Sequence, residues 1–145
     1  ICPVVSQYQE KGQQNNIRLE VGALPALKLL VDRLQIQVVL RNLLANAFEA
    51  VSDLTQPSRL VTVRCKTLSD AQVAITVQDN GPGLSKHAAE SLFKPFHSTK
   101  SSGLGLGLVI SRAIAETHGG SLAGIVADHG MFTLILPTHE NKNHV

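Results

Sequence analysis

The sequence predicts an α/β two-layer sandwich, a mixed and mostly antiparallel sheet packed against about three helices on one face. Three observations lead there. Segments with a helical repeat interleave with segments of alternating apolar residues, and tight polar turns join two pairs of those strands. A chain of 145 residues also suits one domain with one core. The two hairpins exclude a purely parallel wound sheet.

The elements follow in order. Residues 3–11 read as a short helix that Gly12 ends. Ile17, Leu19 and Val21 alternate with polar residues and read as a strand. A short apolar run at 27–31 follows, and Asp32 is placed as the N-cap of a long helix reaching about Ser52. Pro57 separates this helix from a strand at 60–67, and Ser69-Asp70 turns the chain into a strand at 73–79. Residues 80–102 lack long periodicity and hold Gly81, Pro82, Gly83 and Pro95. They read as a long loop with one helical turn near 86–91, and such loops in compact domains are functional or mobile. A helix at 105–118 carries Leu106, Ile110, Ala113, Ile114 and Thr117 on one face, and Gly119-Gly120 ends it. Strands at 121–127 and 131–136 meet at the turn Asp128-His129-Gly130.

Composition excludes several classes of function. A net charge of +2 is too small to argue for nucleic acid or a membrane surface. Four Phe, one Tyr and no Trp do not supply a base-stacking platform. Cys2 and Cys65 make no metal pattern, and Cys65, within an apolar alternation, reads as a small core residue. No apolar run reaches the roughly 18 residues of a membrane span, and no signal peptide is visible. The chain starts at Ile1 rather than Met, which predicts an excised piece of a longer, cytoplasmic protein.

Three segments carry chemistry. On the long helix, Gln35, Asn42, Asn46, Glu49 and Asp53 fall within a narrow arc. A wet stripe explains that arc, but two asparagines are poor choices for a plain exposed helix face. An Asn amide oxygen is a neutral hard ligand suited to Mg²⁺. Next, Val73, Ile75, Val77 and Asp79 share one strand face, so a carboxylate ends an apolar row. Asp79 either caps the Asn80-Gly81 turn or aims an acceptor into a pocket, where it suits the exocyclic amine of adenine. Gly81 and Gly83 suit a tight turn, and equally a backbone that passes close to a purine. Last, Gly103, Gly105 and Gly107 alternate where a helix begins, and a helix start with glycines suits phosphate. This loop is neither a P-loop nor a dinucleotide fingerprint. Lys100 is either a solvated lysine or a cation within reach of phosphates.

In order, these segments resemble the ATP-binding domain of sensor histidine kinases, within the superfamily shared by gyrase, the MutL mismatch-repair ATPases and a heat-shock chaperone. Asn42-Leu43-Leu44-Ala45-Asn46-Ala47-Phe48-Glu49-Ala50 looks like the N box, and Asp79-Asn80-Gly81-Pro82-Gly83 like the first glycine box. Leu92-Phe93-Lys94-Pro95-Phe96 looks like the F box, followed by His97-Ser98-Thr99-Lys100, and residues 103–108 look like the second glycine box. His118-Gly119-Gly120 and residues 132–137 fit the family's last helix exit and last strand. The boxes cover nearly the whole chain from about Ile17.

The resemblance implies a Bergerat-type fold with a mobile ATP lid, and ATP and Mg²⁺ as cofactors. It makes Asn46 the Mg²⁺ ligand and Asp79 the adenine acceptor, with Gly81 and Gly83 lining the base. Lys100 and the N–H groups around Gly103, Gly105 and Gly107 would hold phosphates, and Phe93 and Phe96 would clamp the lid. Ala50, Leu84, Phe96, Thr99, Leu104, Leu106, Leu108 and Thr133 complete the nucleotide surroundings. Hydrolysing members carry a water-activating glutamate one turn before the metal asparagine; here that position is Asn42, which cannot take a proton. Asn42 and Asn46 are thus the catalytic candidates, with Glu49, one turn later, as a fallback base. Leu104 and Met131 depart from the common pattern of small or hydroxyl residues.

The activity implied is a protein-histidine kinase that passes the γ-phosphate to a histidine outside this chain, since none of its six histidines lies on a phosphoacceptor helix-hairpin. Phosphorylation within the isolated chain would then be poor. The implied partners are a dimerisation and phosphoacceptor domain and, indirectly, a response regulator. A related serine-directed kinase of sigma-factor control and a nucleotide-binding regulatory module are the alternatives.

Overall fold

The structure, a computed structural model, describes residues 2–22, 32–52, 59–68, 71–81, 107–124 and 129–138. Its elements run α1 (Cys2–Gln14), β1 (Arg18–Val21), α2 (Arg33–Val51), β2 (Leu60–Leu68), β3 (Gln72–Asp79), α3 (Gly107–Thr117), β4 (Ser121–Gly124) and β5 (Met131–Pro137). The five strands form one sheet in the order β1-β2-β3-β5-β4. β1 and β2 are parallel, as a crossover through α2 requires, and the other three pairs are antiparallel. The expected mixed sandwich is therefore present, with α1, α2 and α3 as its helices. The runs expected at 27–31 and 86–91 lie outside the described residues, as do the turn at 69–70 and Pro57.

Local chemistry sets the helix ends. Asp32 sits in extended backbone and its carboxylate accepts from the N–H of Gln35 at 3.1 Å, so it is the N-cap expected from the sequence. Gly12 does not end α1, which continues to Gln14. Asn16 takes the left-handed conformation instead (φ 58), and the N–H of Ile17 returns to the Gly12 carbonyl at 2.8 Å. That is a Schellman closure, with Asn in the place glycine usually holds. Gly12 lies inside the closure: a Cβ there would stand 2.6 Å from the Ile17 carbonyl oxygen. α3 closes the same way, with Gly119 at φ 81 and the N–H of Gly120 reaching the Ala115 carbonyl at 2.9 Å.

Strand register puts the core on one face. Val61 and Val63 of β2, Val73, Ile75 and Val77 of β3, and Phe132, Leu134 and Leu136 of β5 all turn toward the helices. α2 meets them with Ile36, Val39, Leu40, Leu43, Leu44, Ala47, Phe48 and Val51, a repeat of three and four residues. Tyr8 of α1 packs edge-on against Phe48 with ring centroids 5.0 Å apart, which ties α1 to α2. Leu43 is fully buried at the centre of this layer. Leu43→Ala is expected to lower unfolding stability by about 2–5 kcal/mol, read from the urea midpoint at constant slope.

The buried face of α3 differs from expectation. The row Leu106, Ile110, Ala113, Ile114, Thr117 was the candidate, but Ile110 is 46% exposed and Ala113 and Thr117 are exposed. Ser111 and Ala115 are buried instead, with Leu108 and Ile114 packed against the core edge. α3 is turned so that its small residues meet α2 and β4, because large side chains would hold the two helices apart.

Candidate functional site

The site is built around α2, which presents Asn42, Asn46, Glu49 and Ala50, all half-buried, along one border of its apolar face. At its C-terminal end lies Asp79. Period-two alternation places this carboxylate on the core face of β3, opposite Val61, where it is only 6% exposed. Its Oδ1 accepts from the N–H of Gly81 at 2.9 Å, and its own N–H donates to the Gly130 carbonyl at 2.9 Å. Asp79 therefore caps the turn, and it does so from a buried position at the head of an apolar row.

The surrounding glycines are there for space. A Cβ at Gly81 would stand 2.5 Å from the Ala50 carbonyl oxygen. What Gly81 leaves room for is α2 itself, besides any ligand. A Cβ at Gly130 would overlap the Asp79 carboxylate. The Nδ1 of His129 lies 3.1 Å from the Gly81 carbonyl, which sets the residue before Gly130 against this corner. Asn80 faces the other way and accepts from the Leu60 N–H at 2.9 Å through Oδ1.

At the other end, α2 is tied to α3. The Asn42 amide donates to the Gly107 carbonyl at 3.2 Å and to the Ser111 hydroxyl at 2.9 Å. Farther along, the backbone N–H of Asp32 donates to Nε2 of His118 at 3.1 Å, while Nδ1 of the same ring lies 2.8 Å from the Ile114 carbonyl. A carbonyl can only accept and a backbone N–H can only donate, so Nδ1 is assigned the donor role toward Ile114 and Nε2 the acceptor role toward Asp32. Two polar ties thus fix the first turn of α3 and the exit of α3 against α2. They leave the start of α3 beside Asn42, and a helix start is where backbone N–H groups lack intrahelical partners.

The structure brings together Asn42, Asn46, Glu49, Ala50, Asp79, Gly81 and Gly107. Leu108 packs its side chain against the core edge. Thr133 is a correction: it pairs with Thr76, one residue out of phase with the Asp79 row, and so stands on the sheet face away from the helices. Met131 pairs with Gln78 on that outer face as well. Gly83, Leu84, Phe93, Phe96, Thr99, Lys100, Gly103, Leu104, Gly105 and Leu106 lie outside the described residues. Sequence reasoning missed Gly130, His129 and Ser111. The signal for Ser111 was a hydroxyl four residues before Ala115, a pair of small residues on one helix face; for Gly130 it was a glycine just before a strand.

No group of three His, Cys, Asp or Glu side chains is placed to hold a metal among the described residues. A cation here would rest on few protein oxygens, with a polyanionic ligand supplying the rest. Asn46 is half-buried on α2, one turn beyond Asn42. Among the described residues no helix is long and apolar enough to cross a membrane.

Known proteins match this arrangement. A family model described as histidine kinase-, DNA gyrase B-, and HSP90-like ATPase matches residues 31–139. The C4-dicarboxylate transport sensor protein DctB of Rhizobium meliloti (strain 1021) is 40% identical over 111 residues, 77% of this chain and 17% of DctB. The C4-dicarboxylate transport sensor protein DctS of Rhodobacter capsulatus is 45% identical over 118 residues, 80% of this chain and 18% of DctS. The chain thus spans less than a fifth of the length of these curated relatives. The nucleotide-free catalytic domain of the histidine kinase ThkA is similar with a TM-score of 0.75 and 30% identity, covering 93% of this chain and 88% of that one.

Proposed function

The chain belongs to the histidine kinase-, DNA gyrase B- and HSP90-like ATPase family, and from that membership we propose that it is the Mg-ATP-binding catalytic domain of a two-component sensor histidine kinase. Residues 1–145 are then one domain of a longer sensor. The γ-phosphate passes to a histidine on a dimerisation and phosphoacceptor domain, and from there to a response regulator. The names of the relatives favour this over the serine-directed alternative.

The observation that carries the reading is the polar border of α2, with buried Asp79 at one end and the Asn42–Gly107 tie at the other. From Asn42 to Ala50 the helix rises about 12 Å, a span that suits a nucleoside triphosphate laid along it. Asp79, held by the Gly81 N–H, presents its second oxygen side to the exocyclic amine of adenine. Gly81, with Gly83 and Leu84 beyond it, lines the base. The N–H groups at the start of α3 take the terminal phosphates, together with Lys100 and Gly103 to Gly107. Asn46 offers its amide oxygen to Mg²⁺, and the cation, when bound, neutralises charge on the phosphates. Asn42 cannot take a proton from water, so the site favours transfer to an added nucleophile over hydrolysis. Catalysis by these residues is positioning and charge compensation.

Calorimetry with Mg-ATP, followed by transfer of labelled phosphate to a supplied phosphoacceptor domain, tests the reading. Absence of both heat and transfer would overturn it. Asn46→Ala is expected to cut the gain in ATP affinity that Mg²⁺ confers, by about tenfold. If titrations with and without Mg²⁺ differ as much in the variant as in the parent chain, Asn46 is not the ligand.

A further inference from the structure

The tie between Asn42 and α3 assigns a role to Asn42 that its place in the N box does not. Its Nδ2 is within hydrogen-bond distance of the Gly107 carbonyl (3.2 Å) and of the Ser111 hydroxyl oxygen (2.9 Å). Only a donor can satisfy a carbonyl, so the amide orientation is set, with Nδ2 on the Gly107 carbonyl and the Ser111 hydroxyl. Ser111 is fully buried, and a hydroxyl is taken into a helix seam without loss only where it is hydrogen-bonded. Gly107 opens α3, and a Cβ on it would lie 3.6 Å from Asn42 Cγ, so the amide packs directly on the helix's first turn.

We infer that Asn42 is a positioning residue: it works as a hydrogen-bond donor that locks the first turn of α3 against α2 and thereby aims that helix's N-terminal N–H groups at the phosphates. A carboxylate at 42 would meet the Gly107 carbonyl as acceptor against acceptor. The residue that makes water a nucleophile in the hydrolysing relatives is therefore incompatible with this seam, whatever its proton affinity. Ser111 is the second half of the device. The inference rests on the proposed Mg-ATP reading for its functional meaning, but the tie itself belongs to the nucleotide-free chain.

Asn42→Asp is the decisive variant, because it keeps the shape and removes the donor. It is expected to weaken Mg-ATP binding about tenfold and to speed amide hydrogen exchange across 107–111 in the nucleotide-free chain. Ser111→Ala is expected to weaken binding by a factor of about two to five, and the losses of Asn42→Ala and Ser111→Ala should not add in the double variant. If Asn42→Asp binds Mg-ATP like the parent chain, or gains ATP hydrolysis, residue 42 acts as an acceptor and the inference is overturned. Should Asn42→Asp unfold, additive losses in the Ser111 cycle overturn it equally. If the parent chain binds no Mg-ATP, the functional reading fails, while hydrogen exchange at 107–111 still decides the tie.

Discussion

Replacing Asp79 by Asn is expected to weaken Mg-ATP binding about 10- to 100-fold, or roughly 1–3 kcal/mol, with little effect on the fold. The geometry makes the reason specific. The Gly81 N–H needs an acceptor at 2.9 Å, and an Asn side chain supplies one only by turning its oxygen to Gly81. Its NH₂ then occupies the other oxygen's position, next to Gly130 and toward the proposed base. A donor now faces the exocyclic amine of adenine, which is itself a donor. The turn survives and recognition does not. Calorimetry with Mg-ATP reads the loss, and far-ultraviolet circular dichroism checks the fold. Undiminished affinity would remove Asp79 from the base pocket and leave its part in the turn.

Gly120→Ala is expected to destabilise the fold by about 3 kcal/mol or more, lowering the thermal midpoint on the order of 10 °C. The added Cβ would overlap the Ile135 carbonyl oxygen and stand 2.9 Å from its carbon. Both are backbone atoms of β5, paired across from Ser121, so neither can move without opening the β4–β5 ladder. Gly119→Ala supplies the contrast. Gly119 has the positive φ of 81, but a Cβ there meets nothing within 4 Å. Its cost is backbone strain alone, about 1–2 kcal/mol. Thermal unfolding of the two variants ranks them, and a smaller loss at 120 than at 119 would refute the close approach of the α3 exit to β5.

Much of the fold is legible in local pattern. Asp32 announces the start of α2, Val73 to Asp79 announce a strand with one apolar face, and Gly119 announces the end of α3. Each rests on the chemistry of a few neighbouring residues. The end of α1 differs from the local pattern for a local reason too. Gly12 suggested a helix stop, yet Asn16 tolerates left-handed backbone well enough to close the helix four residues later. The rotation of α3 was not legible, because Ile110 and Ile114 outweigh Ser111 and Ala115 in any apolar pattern. What decided it was the close approach of α2.

For the site, the sequence by itself determined the parts and their order: the asparagine stripe, the strand-end carboxylate and the glycines. Together these identify a nucleotide-binding family with no long-range information, since each motif is a local constraint on backbone and chemistry. The tertiary structure decided which parts meet. It set Thr133 on the outer face by register, Gly130 against Asp79 and His129 against Gly81. It also spent the Asn42 amide on a helix 65 to 69 residues away. Contacts at such separations depend on sheet order and helix rotation, which the packing of the entire core selects and no single segment encodes.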